Sequence, residues 1–381
     1  MRVLLVIDHF GSGGAQRQMV ELACGLKRRG HTVEMFVYFP QYDFFREQLD
    51  QAHIIVHEHA KGTSGSLGVL RSLIAVMRGA RFDVVASFLS TANIYAELAR
   101  LTAPGVRLIV SERTSFHDDK SAAGALLRRL LHVVADRVVA NSETQAHWLK
   151  RRPWLSGKVS CILNGVDLEK FRPEQAAAVR GRQLRLLGIG RVGPEKNLLN
   201  LIAALARLES ESGPLPEIDW AGSRDPSPAG RRYCDQVDAM LASLPGVQRR
   251  WRWLGLHKDV PALLHHHDAL VHPSLYEGAP NAVCEALAAG KPVLASNVCD
   301  HPRLVADGKR GFLFDPRSAA SIGAAIAKLA DLDADTWRAF ADDAREYAEA
   351  ELGMERMVGQ YEALFQSLLG GRARYQADVR G

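Results

Sequence analysis

Short apolar runs alternate with amphipathic stretches along the whole of this 381-residue chain. In the first half, residues 2–7, 33–39, 53–57, 83–88, 106–111, 138–141 and 159–163 read as strands, and helical periods fill the gaps. Strands that are apolar on both sides of the pleat must be covered on both faces. They predict a parallel sheet between helices, a Rossmann-like domain. Residues 168–183 carry Pro173 and a run rich in Ala, Arg and Gln, show neither period, and read as a linker. A second series follows, with strands expected at 184–189, 218–222, 251–255 and 292–295, and another ending at Val271-His272. Helices are expected at 198–208, from Pro280 onward, and twice across 336–369. The pattern is α/β with two domains, which suits a length too great for one compact core.

Composition is that of an ordinary soluble globular protein, with 47% of residues hydrophobic and 24% charged. The five cysteines, at 24, 161, 234, 284 and 299, form no close pairs and no metal-ligand spacing, and read as reduced thiols of a cytosolic protein. The apolar start runs for five residues into Asp8-His9, too short for a signal-peptide core. No run approaches the roughly 20 residues of a membrane span. Charge divides unevenly: residues 1–172 hold 23 Lys+Arg against 16 Asp+Glu, net +7, and the rest 25 against 27, net −2. Lys27-Arg28-Arg29, Arg128-Arg129 and Lys150-Arg151-Arg152 could hold the first domain against anionic lipid at the inner face of the cytoplasmic membrane, at about 1 kcal/mol per basic residue near the surface. Nucleic acid is not expected, because no aromatic-interleaved basic stripe accompanies them.

The chemistry concentrates in VHPSLYEGAPNAVCEALAAGKPVLAS, residues 271–296. It reads as an apolar strand, a loop with Glu277, a helix opened by Pro280, and a second strand. Proline in a first helical turn, with Gly278 and Ala279 before it, leaves main-chain N–H groups uncovered, a cradle for phosphate. Glu277 and Glu285, eight positions apart, bracket that turn. Carboxylates are poor partners for a diphosphate but good acceptors for neutral hydroxyls such as those of sugars. Val283, Ala286, Leu287 and Gly290 are expected to pack, and neither carboxylate is needed for that packing. Upstream, the loop Gly190-Arg191-Val192-Gly193-Pro194-Glu195-Lys196-Asn197 carries two cations five positions apart across a turn, so both can reach one set of anionic oxygens. In the first half, Gly11 to Gly14 open a helix without the dinucleotide fingerprint, whose third glycine would fall on Gln16. The strand at 106–111 ends in Ser111-Glu112-Arg113-Thr114, on the side of such a sheet that faces ligand, and His117 follows.

The stretch 271–296 closely resembles the signature of retaining glycosyltransferases of family 4, built on the GT-B architecture of two Rossmann-like domains facing each other across a cleft. The resemblance covers essentially the whole chain and is strongest over 188–197 and 271–296. It implies an acceptor-binding domain at 1–172 and a nucleotide-sugar donor domain at 173–350. Residues 351–381 would be a tail and a last helix crossing back to the first domain. By the same resemblance Glu277 meets the transferred sugar and Glu285 the donor ribose, while Arg191 and Lys196 hold the diphosphate beside Gly278, Ala279, Pro280, Asn281 and Ala282. Gly13-Gly14 would approach donor phosphate and acceptor, and Gly255 and His257 would line the base pocket. Asn164-Gly165-Val166-Asp167 matches the family's "NGVD" segment at the domain junction, which adds Asn164 to the donor set. Ser111, Arg113 and His117 fall to the acceptor, as in members that extend lipid-linked or surface oligosaccharides in bacteria, with His117 near the reacting sugar. Asn297-Val298-Cys299-Asp300 departs from the glycine-rich turn that many relatives have.

The implied activity is transfer of a sugar, with retention, from a UDP- or GDP-sugar to a glycan or lipid-linked acceptor, with Glu277, Arg191, Lys196 and His117 as the catalytic set. No cofactor and no metal are implied, because the cationic pair takes the place of a divalent ion. His265-His266-His267 are expected to point apart on a helix-end surface, and Asp331-Leu332-Asp333 reads as helix capping rather than a metal motif. A nucleotide-sugar epimerase or phosphorylase of the same fold, or a nucleotide-sugar-binding protein without catalysis, fits the same fold. The phosphorylase would need a cofactor lysine that the sequence does not place.

Overall fold

The computed structural model describes residues 1–62, 65–113, 126, 129–174 and 183–378. The chain divides into two compact units, Met1–Gly165 with Met354–Gly381, and Val166–Gly353.

The first unit is built on seven parallel strands, β1 (Arg2–Val6), β2 (Thr32–Val37), β3 (Ile55–Glu58), β4 (Val84–Phe88), β5 (Arg107–Glu112), β6 (Arg137–Ala140) and β7 (Val159–Cys161), in the order β3-β2-β1-β4-β5-β6-β7. Val3 and Leu5 enter one core with Met19, Leu22 and Leu26 of the helix Gly14–Arg28. Leu4 and Val6 enter the other with Tyr95 and Ala96 of the helix Ser90–Arg100. The period of two along each strand therefore feeds two helical layers. The helix Met354–Asp378 adds Met357, Val358, Tyr361 and Phe365 to the first of these cores, each apolar side chain contributing roughly 1.5–3 kcal/mol by leaving water. Its fit depends on Gly25, where a Cβ would lie 2.5 Å from Val358 Cγ2. The strand expected at 53–57 begins later because His53 takes φ 51° and closes the turn after the helix Arg46–Gln51.

Six parallel strands make the second unit, β8 (Arg185–Ile189), β9 (Glu217–Ala221), β10 (Trp251–Gly255), β11 (Ala269–His272), β12 (Val293–Ser296) and β13 (Gly311–Phe314), in the order β10-β9-β8-β11-β12-β13. The sequence pattern did not announce β13. The strand opens on a glycine rather than an apolar residue, and Gly311, at φ 149°, lies so close to β12 that a Cβ would sit 1.8 Å from Val293 O.

Each strand order reverses once, between β1 and β4 in the first sheet and between β8 and β11 in the second. At such a point the loops leaving the strand C-termini diverge and open a crevice for ligand. Among the described residues no helix is long and apolar enough to cross a membrane.

Candidate functional site

The crevice between β8 and β11 is framed by close backbone packing. Gly188 lies on Trp220, where a Cβ would be 2.2 Å from the ring, and Gly222, at φ 155°, leaves no space for one against Gly190 O. The chain then turns through Pro194–Lys196 and Asn197. Asn197 takes φ 58°, a conformation that Asn tolerates better than most residues. Its side-chain amide donates to Pro273 O at 3.0 Å and to Pro316 O at 2.7 Å, and Leu275 N–H donates to Glu195 O at 2.9 Å. The loop after β8 is thus stitched to the loop after β11, which fixes Lys196 beside Glu277.

Lys196 Nζ lies 2.5 Å from Glu277 Oε1, and His272 Nε2 lies 2.9 Å from the same oxygen. Burial alone would push the Glu277 carboxyl up, but the Lys196 ammonium and His272 outweigh it and hold the group well below the usual carboxylate range. Burial and the same ammonium push His272 down, against the pull of Glu277. A neutral ring facing a carboxylate must carry its proton on Nε2, so His272 donates to Glu277. Both donors fall on Oε1, which leaves Oε2 to accept from a ligand hydroxyl.

The helix after this loop is Asn281–Ala288, one residue later than expected. Pro280 precedes it and its carbonyl accepts from Val283 and Cys284, and no side chain caps the first turn. Elsewhere in the unit Ser227, Asp259, Ser318 and Asp333 cap their helices, while Leu198–Ser210, Pro245–Arg249 and His301–Val305 also start without a side-chain cap. Glu285, on the helix Asn281–Ala288, is 3% exposed. The helix Ala334–Glu351 covers the face that the sheet leaves open, and Arg345 of that helix donates to Ala288 O at 2.8 Å. Gly278 and Ala279 are half-buried at the lip. Arg191 is exposed, with Nη2 3.4 Å from Glu195 Oε1 and Nε 3.7 Å from Asp225 Oδ2. Gly255, at φ 66°, accepts from Gly222 N–H at 2.8 Å, and His257 beyond it is exposed beside Leu256.

In the first unit Gly13 precedes the helix Gly14–Arg28 at the β1–β4 crevice, again without a side-chain cap. Arg113 is buried, stacks its guanidinium 4.1 Å from the Phe88 ring centroid, and donates through Nη2 to Asn164 Oδ1. Ser111 is fully buried, so its hydroxyl is turned inside the unit. Glu112 belongs to a chain that spacing did not reveal: His132 Nδ1 lies 2.5 Å from Glu97 Oε1 and His132 Nε2 3.0 Å from Glu112 Oε1. Burial would push His132 down, but the two carboxylates pull it up to about 9. His117 lies outside the described residues.

Two other expectations change. His267 is buried and bonds Asp219 at 2.8 Å, so the triple histidine is not a surface feature throughout, although His266 is exposed. Arg28 and Arg29 do not form an open basic patch: they pair with Glu355 and Glu362 on the last helix. Asp333 caps the helix that follows, its Oδ1 accepting from Thr336 N–H at 2.7 Å. His272, Asn197 and Cys299 were missed as site residues. The signal for His272 was present, since it ends a strand in the stretch that carries Glu277.

Residues 12–170 match the family model described as Glycosyltransferase Family 4, and residues 183–331 that described as Glycosyl transferases group 1. The chain belongs to the group 1, family 4 glycosyltransferases. This glycosyltransferase is 27% identical over 278 residues to the Escherichia coli UDP-Gal:alpha-D-GlcNAc-diphosphoundecaprenol alpha-1,3-galactosyltransferase, covering 69% of this chain and 70% of that one. Its fold is that of Anabaena HepE, solved with UDP, at a TM-score of 0.83 and 20% identity over 96% of this chain and 100% of that chain. WaaG, a glycosyltransferase involved in lipopolysaccharide biosynthesis, matches at a TM-score of 0.68 and 18% identity, covering 95% and 99% of the two chains. The fold is GT-B, two Rossmann-like parallel-sheet domains.

Proposed function

We propose that this glycosyltransferase moves a sugar from a UDP- or GDP-sugar to a glycan or lipid-linked acceptor, with retention of configuration and without a metal ion. The observation that carries the reading is the meeting of Lys196, Glu277 and His272 at the β8–β11 crevice, beside an uncapped helix start. Glu277 Oε2 accepts from a hydroxyl of the transferred sugar, and Glu285 from the donor ribose. When donor enters, Lys196 turns from Glu277 to the diphosphate, joined by Arg191 and the N–H groups near Gly278 to Ala282. These groups face the charge that develops as the bond between the sugar and the β-phosphate oxygen breaks. The acceptor oxygen bonds to the anomeric carbon on the same face, and its proton passes to the departing phosphate. Gly13, Gly14 and Asn164 are assigned to the donor and Arg113 and His117 to the acceptor, with Ser111 a buried support at the end of β5. Gly255 and His257 border the base.

A membrane-borne acceptor is supported by a second feature of the first unit. Leu126, Leu130 and Val133 are exposed at helical spacing, and Lys150 and Arg151 of the same unit are exposed, with no carboxylate partner among the described residues. The diphosphate-linked lipid in the Escherichia coli relative's name points the same way. The chain would then sit peripherally on the inner face of the cytoplasmic membrane.

The deciding experiment is a panel of labelled UDP- and GDP-sugars incubated with and without acceptor, before and after chelation, with the anomeric configuration of the product read by NMR. Transfer that survives chelation and retains configuration is expected. Loss on chelation with rescue by magnesium or manganese would remove the metal-free assignment, and hydrolysis or epimerisation without transfer would remove the function.

A further inference from the structure

Cys299 lies three residues beyond β12 and takes φ 50°, the left-handed region in which a residue other than Gly, Asn or Asp is uncommon. Its turn is tightly held: Asn297 N–H donates to Phe314 O at 2.7 Å, Val298 N–H to Ser296 O at 2.9 Å and His301 N–H to Val298 O at 3.1 Å. Glycine would meet that backbone without strain, so a side chain kept there calls for a reason in its contacts. Cys299 Sγ accepts from the main-chain N–H of Glu277 at 3.4 Å. The same turn backs His272, because His301 sets its ring edge-on against it at 5.3 Å and donates Nδ1–H to Ser296 O at 2.8 Å.

We propose that Cys299 is a positioning residue for Glu277: the thiol fixes the Glu277 main chain while His272 fixes the carboxylate. The inference rests on Glu277 contacting the transferred sugar. Burial pushes the thiol up, and although the Glu277 N–H pulls the other way the group stays protonated, an acceptor rather than a nucleophile. Two strands then hold one catalytic loop, β11 through its own chain and β12 through Sγ.

The test is steady-state kinetics, donor-binding isotherms and thermal melts for Cys299→Gly, Cys299→Ser and Glu277→Gln in the full chain. Cys299→Gly is expected to lower kcat about tenfold by loosening the geometry of the reacting groups, with donor Kd within about twofold of the parent and no fall in Tm. Cys299→Ser, whose hydroxyl can accept the same N–H, should recover most of that loss. Parental kcat in Cys299→Gly beside a collapsed Glu277→Gln would overturn the proposal and leave the role of Glu277 standing. Equal losses in the Gly and Ser variants, accompanied by a lower Tm, would make Cys299 a packing residue and also overturn it. Full kcat in Glu277→Gln would instead remove the reading of Glu277 itself.

Discussion

At the β8–β11 crevice, Lys196 and His272 meet on one oxygen of Glu277 and leave the other open, whereas behind the end of β5 the chain Glu97, His132 and Glu112 is buried. Both are ion-paired clusters with a histidine between opposed demands. In the second unit the carboxylate wins over burial and the histidine does not, so Glu277 is charged and His272 neutral. In the first unit two carboxylates outweigh the burial of one ring, and His132 is charged. Polar groups at an open crevice are placed for a ligand, and polar groups in a closed one are placed for the fold. Mutations in the two clusters should therefore be read by different instruments.

Lys196→Met is the sharpest break on the open side. Removing one fixed cation facing the leaving group should lower kcat/KM roughly 100- to 1,000-fold, measured with the preferred donor. A variant that kept full activity would show that the cluster is an ion pair and nothing more.

His132→Gln tests the closed side. It leaves two buried carboxylates without their cation and should cost about 3–5 kcal/mol in urea unfolding. The pH dependence has a definite sign. His132 is raised from its ordinary value to about 9 in the folded chain, so its contribution is fully present below about pH 6.5 and is lost as pH rises through about 9. Stability of the parent should fall across that window at about 1.4 kcal/mol per pH unit at most, and the Gln variant should lack the slope.

The smallest effect is expected at the surface. Arg29→Ala removes contacts to Glu355 and Glu362 and should cost less than about 1 kcal/mol. It should leave binding to anionic vesicles unchanged, while Lys150→Ser with Arg151→Ser weakens such binding, each lost cation about fivefold. Equal loss from both would merge two patches that the ion pairs separate.

The same contrast explains what could be read from the chain. The meeting of Lys196 with Glu277 needed the fold, whereas Glu277 and Glu285 are eight positions apart in one loop and helix, and Arg191 and Lys196 five apart in one loop, so each pair was legible in a local window. Two-sided apolar strands announced both sheets for the same reason. His132 pairs with residues 35 and 20 positions away, and such a chain leaves no periodic trace. The burial of Glu285 was illegible because its helix packs against Ala334–Glu351, beyond any local window. Cys299 was noticed only as a departure from glycine, and its reason appears once β11 and β12 are neighbours.

The central claim, that the crevice of the second unit divides a nucleotide sugar between two carboxylates, is tested most directly by donor-binding isotherms and steady-state constants for Glu277→Gln and Glu285→Gln together. Glu285→Gln should weaken donor binding roughly 10- to 100-fold, the loss of a charge-assisted hydrogen bond to a hydroxyl, with kcat largely kept. Glu277→Gln should bind donor nearly as the parent does and lose its activity in kcat. If Glu277→Gln lost donor binding at full kcat, the two roles would be reversed, and if both variants bound and turned over like the parent, the crevice would not be the donor site.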